Sequence, residues 1–322
     1  MIITDDVYGS YIVDEPLLLD LIGSEAIQRL REISQAGASS LVRAGRSVTR
    51  YEHSIGVMLL TRTLGGEIVE QAAGLLHDVS HTAFSHTIDY VFRDCKEKFH
   101  ETIFAEVLEE SDIPRTLAEH NLNWRQLFEP TNLKIVDAQA PLLCADRVDY
   151  TLRDLVRFGY ITAMDAQAFV ANLSVNQNAI TCGNAELAER FVRWYAYLVE
   201  NLFMHPVELY VHDEFAKLIR DALMQHVLTT DDLLKVDSAV LEKLDSQLWS
   251  RERLATLRQT TNIAIGDGPG ARRVFSKARI VDPLISSDGM VVPLSQIRPE
   301  LKVIWGNILK VSTEGCMVRQ VM

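Results

Sequence analysis

The chain has 322 residues, 48% of them hydrophobic and 24% charged, ordinary proportions for a globular protein that exclude a disordered or fibrous chain. Its formal net charge is −12, which repels nucleic-acid backbones and anionic membranes on average, so an anionic ligand would need a local basic pocket inside an acidic shell. No apolar run reaches the roughly 18 residues of a spanning helix, and the acidic start, residues 1–6, lacks the basic region of a signal peptide. Cys95, Cys144, Cys182 and Cys316 lie far apart, with neither zinc-finger spacing nor a disulfide framework. A cytoplasmic protein with no membrane partner is expected.

Most of the chain reads as helix. Ser24 suits an N-cap for a helix over 25–36, with Gly37 just past its end. A turn-rich stretch over 44–49 precedes a helix over 52–64, which Gly65-Gly66 breaks before another over 67–76. Further helices are expected over 85–92, 100–110, 137–158, 165–172 and 185–202, then from Pro206 to about residue 227, with a shorter pair or a single helix over 231–248. After about residue 260 the pattern changes. Residues 266–270 read as a loop, and 273–281, 302–305 and 308–311 as strands. The fold class is therefore mainly α, with a helical core over 1–225 and a small α+β unit over 226–322.

Six of the nine histidines lie between positions 53 and 120. His77-Asp78, His81 and His86 are the densest group, with His53 before them and Asp89 and His100 beyond. Imidazole suits divalent transition metals and carboxylates add charge. His77 and His81 share a helix face at i,i+4, whereas adjacent His77 and Asp78 could reach one ion only from a helix end or bend. A lone histidine beside an apolar helix is ordinarily a hydrogen-bonded core or surface residue; three within ten residues beside an aspartate weaken that reading.

A second cluster runs from Cys144 to Asp154. On a helix, Asp146, Arg147, Tyr150 and Asp154 fall within one arc of about 100°. A solvated face laced with i,i+4 pairs would look similar, but Tyr150 inside the stripe points to a pocket wall. Arg272, Arg273, Lys277 and Arg279 form a basic group that reads as a solvated strand face.

These motifs, taken together, resemble the HD-domain metal-dependent phosphohydrolases: residues 50–57, then Ala73-Gly74-Leu75-Leu76-His77-Asp78, then Ser85-His86, then 146–154. Within that superfamily the chain is most similar to the deoxynucleoside triphosphate triphosphohydrolases, over roughly residues 5–225. The resemblance implies that His53, His77, Asp78 and Asp146 bind one divalent ion (Mn, Fe, Ni, Co, Zn or Mg). It implies catalytic roles for His81, His86, Asp89 and His100. It assigns Gln35, Arg50 and Arg147 to the nucleotide's sugar and phosphates, Tyr150 and Asp154 to the 3′-hydroxyl, and Tyr210 to packing on the sugar. Ser80 stands where the family has glycine, and residues 200–206 lack the basic residue of the triphosphate enzymes.

The expected activity is hydrolysis of a deoxynucleotide at its α-phosphorus by a homo-oligomer. A different phosphoester or a nucleoside monophosphate is the alternative substrate. A dinuclear-iron oxygenase, with His81 and His100 as additional ligands, is an alternative chemistry, and a degenerate scaffold that only binds is the non-enzymatic one. The Gly-Tyr-Pro signature of the cyclic-dinucleotide enzymes and the Glu-Asp pair of the alarmone hydrolases are absent.

Overall fold

The structure, a computed structural model, describes residues 1–43, 47–93, 98–287 and 290–321. Residues 44–46 of the expected turn, and Cys95, lie outside them. The fold is mainly α, as the sequence pattern requires. Helices Arg50–Thr63, Ile68–Leu76 and Ala145–Arg157 form its centre.

Local chemistry sets where these helices begin. Thr49 and Glu52 exchange hydrogen bonds: the Thr49 amide donates to Glu52 Oε2 at 2.7 Å and the Glu52 amide to Thr49 Oγ1 at 3.1 Å. This capping box starts Arg50–Thr63 with two amides satisfied. Its apolar face, Val57, Met58, Leu59 and Leu60, is fully buried. At Gly56 the helix meets Ala145–Arg157 so closely that a Cβ would lie 2.0 Å from Arg153 Nη2 and Asp149 Oδ1. Only glycine fits that crossing.

The expected helix over 25–36 is shorter. Glu25–Arg29 is α-helical, Leu30–Glu32 tightens into a 3₁₀ turn, and Ser34 bridges Thr49. Residues 33–35 are held by backbone bonds to 48–50 instead of continuing the helix. The helix expected over 137–158 begins only at Ala145, because Pro141 has no N–H to donate and disfavours a helical residue before it. Over 231–248 the alternative of a helical pair is the one found: Thr230–Leu233 and Asp237–Asp245, with Leu248–Arg258 following.

Among the described residues, three small sheets attach to this core. β1 (Ile2–Asp5) and β2 (Gly9–Ile12) form an N-terminal hairpin. β3 (Leu173–Asn176) and β4 (Ala179–Cys182) form a second hairpin. β5 (Ile263–Ile265), β6 (Arg272–Val274) and β9 (Cys316–Gln320) make a three-stranded sheet, with β9 central. β7 (Leu284–Ser287) pairs in parallel with β4 and antiparallel with β8 (Met290–Pro293). Val281, Ile285, Leu294 and Leu301 belong to the same hydrophobic core as Leu59, Leu75 and Leu152. Residues on both sides of position 225 thus share one core.

The strands expected over 302–305 and 308–311 are instead one helix, Leu301–Glu314. Leu301, Trp305 and Ile308, its buried residues, recur at helical spacing, so the β-branched runs between them were misleading. Of the strand expected over 273–281 only Arg272–Val274 is ladder-paired; residues 275–281 run as an extended connector.

Candidate metal centre and cavity

Helix ends bring the four ligand candidates together. His53 sits in the first turn of Arg50–Thr63. His77 is the C-cap of Ile68–Leu76, where the chain turns off through hydrogen bonds from Val79 N to Leu76 O and from His81 N to Asp78 O. Adjacent His77 and Asp78 therefore face one point without sharing a helix face. Asp146 occupies the first turn of Ala145–Arg157, held by donation of its amide to Val136 O at 3.1 Å.

The facing atoms are close. His53 Nε2 lies 3.1 Å from Asp146 Oδ1 and 3.5 Å from Asp78 Oδ2, and His77 Nε2 lies 3.4 Å from Asp78 Oδ1 and 3.7 Å from Asp146 Oδ1. Neighbouring ligands bound at about 2.1 Å to one ion stand roughly 3 Å apart or slightly more, so a first-row divalent cation fits among them. Among the described residues, His53 Nε2 and His77 Nε2 are buried without a hydrogen-bond partner. Their other ring nitrogens are committed: His53 Nδ1 donates to Asp149 Oδ2 at 2.7 Å and His77 Nδ1 to Gly74 O at 2.7 Å. That outer bonding fixes each tautomer and turns a lone pair inward, as in metal-binding histidines generally. The donor set and its orphaned nitrogens fit a divalent ion.

Electrostatics agree. Burial opposes ionisation of both His53 and Asp146, but their mutual contact outweighs it, with Asp149 assisting at His53 and His77 at Asp146. His53 rises to about 10 and Asp146 is held far below the usual carboxylate range. For Asp78 burial is likewise overcome, chiefly by Arg50. The protons held here are those a divalent ion would displace.

A histidine cluster adjoins this centre. His81 and His100 stack with ring centroids 4.0 Å apart, and His86 meets them edge-on at 5.0 and 5.5 Å. His86 Nδ1 donates to Asp89 Oδ2 at 2.8 Å, while Asp89 Oδ1 accepts the Phe99 amide. Burial, then the neighbouring Arg50 and His100, pushes His81 well below its ordinary value. Burial, then His86, lowers His100 to about 3. Donor atoms of Asp78, His81 and His100 also converge closely enough to hold an ion. Ser80 does more than substitute for glycine: its hydroxyl donates to His100 O at 2.9 Å.

All of this opens on a cavity of about 550 Å³, lined by His77, Asp78, His81, His86, His100 and Asp146. An HD domain matches residues 50–153. An uncharacterised Bacillus subtilis protein, YdhJ, is 39% identical, covering 94% of both chains. The metal-dependent phosphohydrolase cns2 of Cordyceps militaris is 30% identical over 95% of this chain and 90% of its own. The chain belongs to the HD-domain metal-dependent phosphohydrolases. A solved phosphohydrolase from Bacteroides thetaiotaomicron shares the fold, with a TM-score of 0.77 at 17% identity, covering 100% of both chains. The zebrafish deoxynucleoside triphosphate triphosphohydrolase SAMHD1 matches over a shorter stretch, 39% identical across 28% of this chain and 17% of its own.

The remaining expected residues of this phosphohydrolase divide into two groups. Gln35, Arg50, Arg147, Tyr150 and Asp154 line the cavity. Gln35 Oε1 is buried with no partner among the described residues. Tyr150 shares a hydrogen bond with Tyr195 at 2.9 Å, and burial raises Asp154 to about 7. The two arginines are partly committed elsewhere. Arg50 Nη1 meets Asp78 Oδ2 at 2.5 Å and its Nε donates to Ser85 Oγ, while Arg147 Nη1 donates to Leu142 O at 2.6 Å. Tyr210 does not line the cavity. Its hydroxyl donates to Gln320 Oε1 and Arg272 covers its ring. His212 lines the cavity instead; two residues on, it lies about 200° around the helix.

Sequence reasoning overlooked other participants. Asp149, between the named Asp146 and Tyr150, is fully buried and anchors His53; its place in the Cys144–Asp154 cluster was the available signal. Phe104, Trp124 and Phe128 give the cavity an aromatic side that no short motif marks. The basic group also has to be reassigned. Arg272 pairs with Asp213 and Glu214, whereas Lys277 and Arg279 line the cavity.

Proposed function

We propose that the protein hydrolyses nucleotide phosphoesters, most specifically deoxynucleoside triphosphates, giving a deoxynucleoside and triphosphate. The supporting observation is that Asp146, Tyr150 and Asp154 border one cavity with the clustered His81, His86 and His100. Phosphate chemistry and sugar recognition would then be one helix turn apart. The shorter SAMHD1 match favours the same substrate class.

His53, His77, Asp78 and Asp146 would hold the divalent ion, which when bound polarises phosphoryl oxygen and acidifies water. The chain's own residues supply the rest. Arg50 and Arg147 offset the acidic shell around an anionic substrate. His86, which lines the cavity with its Nδ1–H given to Asp89, is oriented by that carboxylate and placed to relay a proton. His81 and His100 are held neutral by burial and cationic neighbours; an arriving phosphate's negative charge raises their basicity and readies them to deliver a proton to the leaving oxygen. Asp154 and Tyr150 are disposed to bind a sugar hydroxyl.

Assay of deoxynucleoside and ribonucleoside triphosphates and monophosphates with several metals tests this reading. Release of triphosphate supports it; orthophosphate from monophosphates alone would replace it with the alternative phosphoester reading. That alternative is favoured by the internal commitments of Arg50 and Arg147. The convergence of Asp78, His81 and His100 favours a two-metal centre, which two equivalents of metal per chain would support.

A further inference from the structure

The connector between β6 and β7 lines one side of the cavity and is restrained at both ends. On one side Val274 pairs with Cys316 in the sheet, and Ser276, itself buried, accepts a hydrogen bond at its carbonyl from Ser312 Oγ at 2.8 Å. On the other, Val281 is fully buried and Asp282 donates its amide to Pro141 O at 2.8 Å. The Asp282 carboxylate accepts both the amide and the hydroxyl of Ser295, at 2.9 and 2.6 Å. Between these anchors, Lys277, Ala278 and Arg279 line the cavity.

The anchors matter for chemistry. A cation on a loose tail would lose conformational entropy on meeting a ligand; one on a strap pinned at both ends loses less. Arg279 is further oriented by Phe203, whose ring centroid lies 5.1 Å from the guanidinium carbon. Phe203 in turn meets Tyr150 edge-on at 6.1 Å. Arg279 thus lines the same cavity as Tyr150, from a segment outside the HD helices and the histidine cluster. Arg279 Nη1 also donates to Lys277 O at 3.4 Å, a contact inside the strap itself.

We propose that residues 277–279 form a substrate strap in which Arg279, assisted by Lys277, binds an anionic group of the substrate other than the one at the metal centre. A second or third phosphate of a polyphosphate chain is the chemistry the planar guanidinium fits. The proposal rests on the phosphohydrolase reading of the cavity and extends it to a segment outside the matched HD domain.

Calorimetric titration of the metal-replete protein with inorganic triphosphate and with inorganic phosphate tests the strap without turnover. Wild type should prefer triphosphate. Arg279→Ala should weaken triphosphate about ten- to a hundredfold, the scale of one charge-assisted contact, with phosphate affinity and metal content unchanged. Arg279→Lys should recover part of the loss. If Arg279→Ala lowers the melting temperature, Arg279→Gln, which keeps the stem against Phe203, carries the comparison. Unaltered triphosphate affinity, or equal losses for both anions, would overturn the strap. Triphosphate binding that depends on Arg279, without hydrolysis of any nucleotide tested, would overturn the hydrolytic reading alone.

Discussion

Asp149 accepts the Nδ1 hydrogen of His53 at 2.7 Å while its carboxylate also receives Arg153 Nε and Nη2 at 3.0 and 2.8 Å. Arg153 continues to Asp5 in the N-terminal hairpin, 2.9 Å away. One metal-ligand candidate is therefore oriented by a buried charge chain that reaches the edge of the fold. Asp149→Asn retains the shape of the carboxylate but weakens its hold on His53. Metal affinity should fall about ten- to a hundredfold, as for outer-sphere partners of histidine ligands in general. Chelator competition on wild type and variant measures it; unchanged affinity would count against His53 as a ligand.

Gly56 permits that charge chain to exist. Because a Cβ there would stand 2.0 Å from both Arg153 Nη2 and Asp149 Oδ1, Gly56→Ala must push the two helices apart or break the buried pair. A loss of about 1–3 kcal/mol is expected from overpacking, with a further loss if the ion pair separates. Denaturant unfolding reads the total. A variant as stable as wild type would show that the crossing tolerates a methyl group.

The helical core and a metal-site candidate around His77 were legible locally, from the apolar run before His77 and the polar stripe from Asp146, whereas the four-ligand set came from the family resemblance. Tyr210 was carried over from the family resemblance alone, and it is His212, two residues on, that lines the cavity. The Leu301–Glu314 helix was mistaken for two strands because Val303, Ile304, Ile308 and Val311 have strand-like side chains, while its buried stripe follows helical spacing. The strap was unreadable for a different reason. Its two ends are fixed by Ser312, Pro141 and Ser295, contacts remote in sequence that leave no local pattern.

Asp237 illustrates another long-range contact with a pH signature. Its carboxylate accepts the Phe84 amide at 2.7 Å and the Ser34 amide at 3.0 Å, yet burial raises it to about 6. Its proton is held more tightly in the folded chain than in the unfolded one, where it leaves near 3.8, the ordinary value for an aspartate. Between those two values the native state binds more protons, so this group's contribution to stability declines as pH rises, by at most roughly 1.4 kcal/mol per unit. Unfolding free energies of wild type and Asp237→Asn from pH 4 to 7 should show wild type losing ground to the variant until about pH 6 and running parallel above it. A difference independent of pH would show that Asp237 ionises alike in both states.

His100 separates the chemical readings of the cavity in one substitution. Its ring stacks on His81 at 4.0 Å, and its Nδ1 is buried with no partner among the described residues. If it delivers a proton, His100→Ala should fold normally, keep its metal and bind nucleotide, while kcat falls about 10²- to 10⁴-fold. If it joins Asp78 and His81 around a second ion, elemental analysis should show one metal fewer per chain. If it serves packing alone, Tm should drop while kcat, measured well below the transition, stays near that of wild type. Metal content, melting temperature and turnover on the same preparation therefore assign His100 to one of three roles, and the proposed hydrolytic mechanism requires the first.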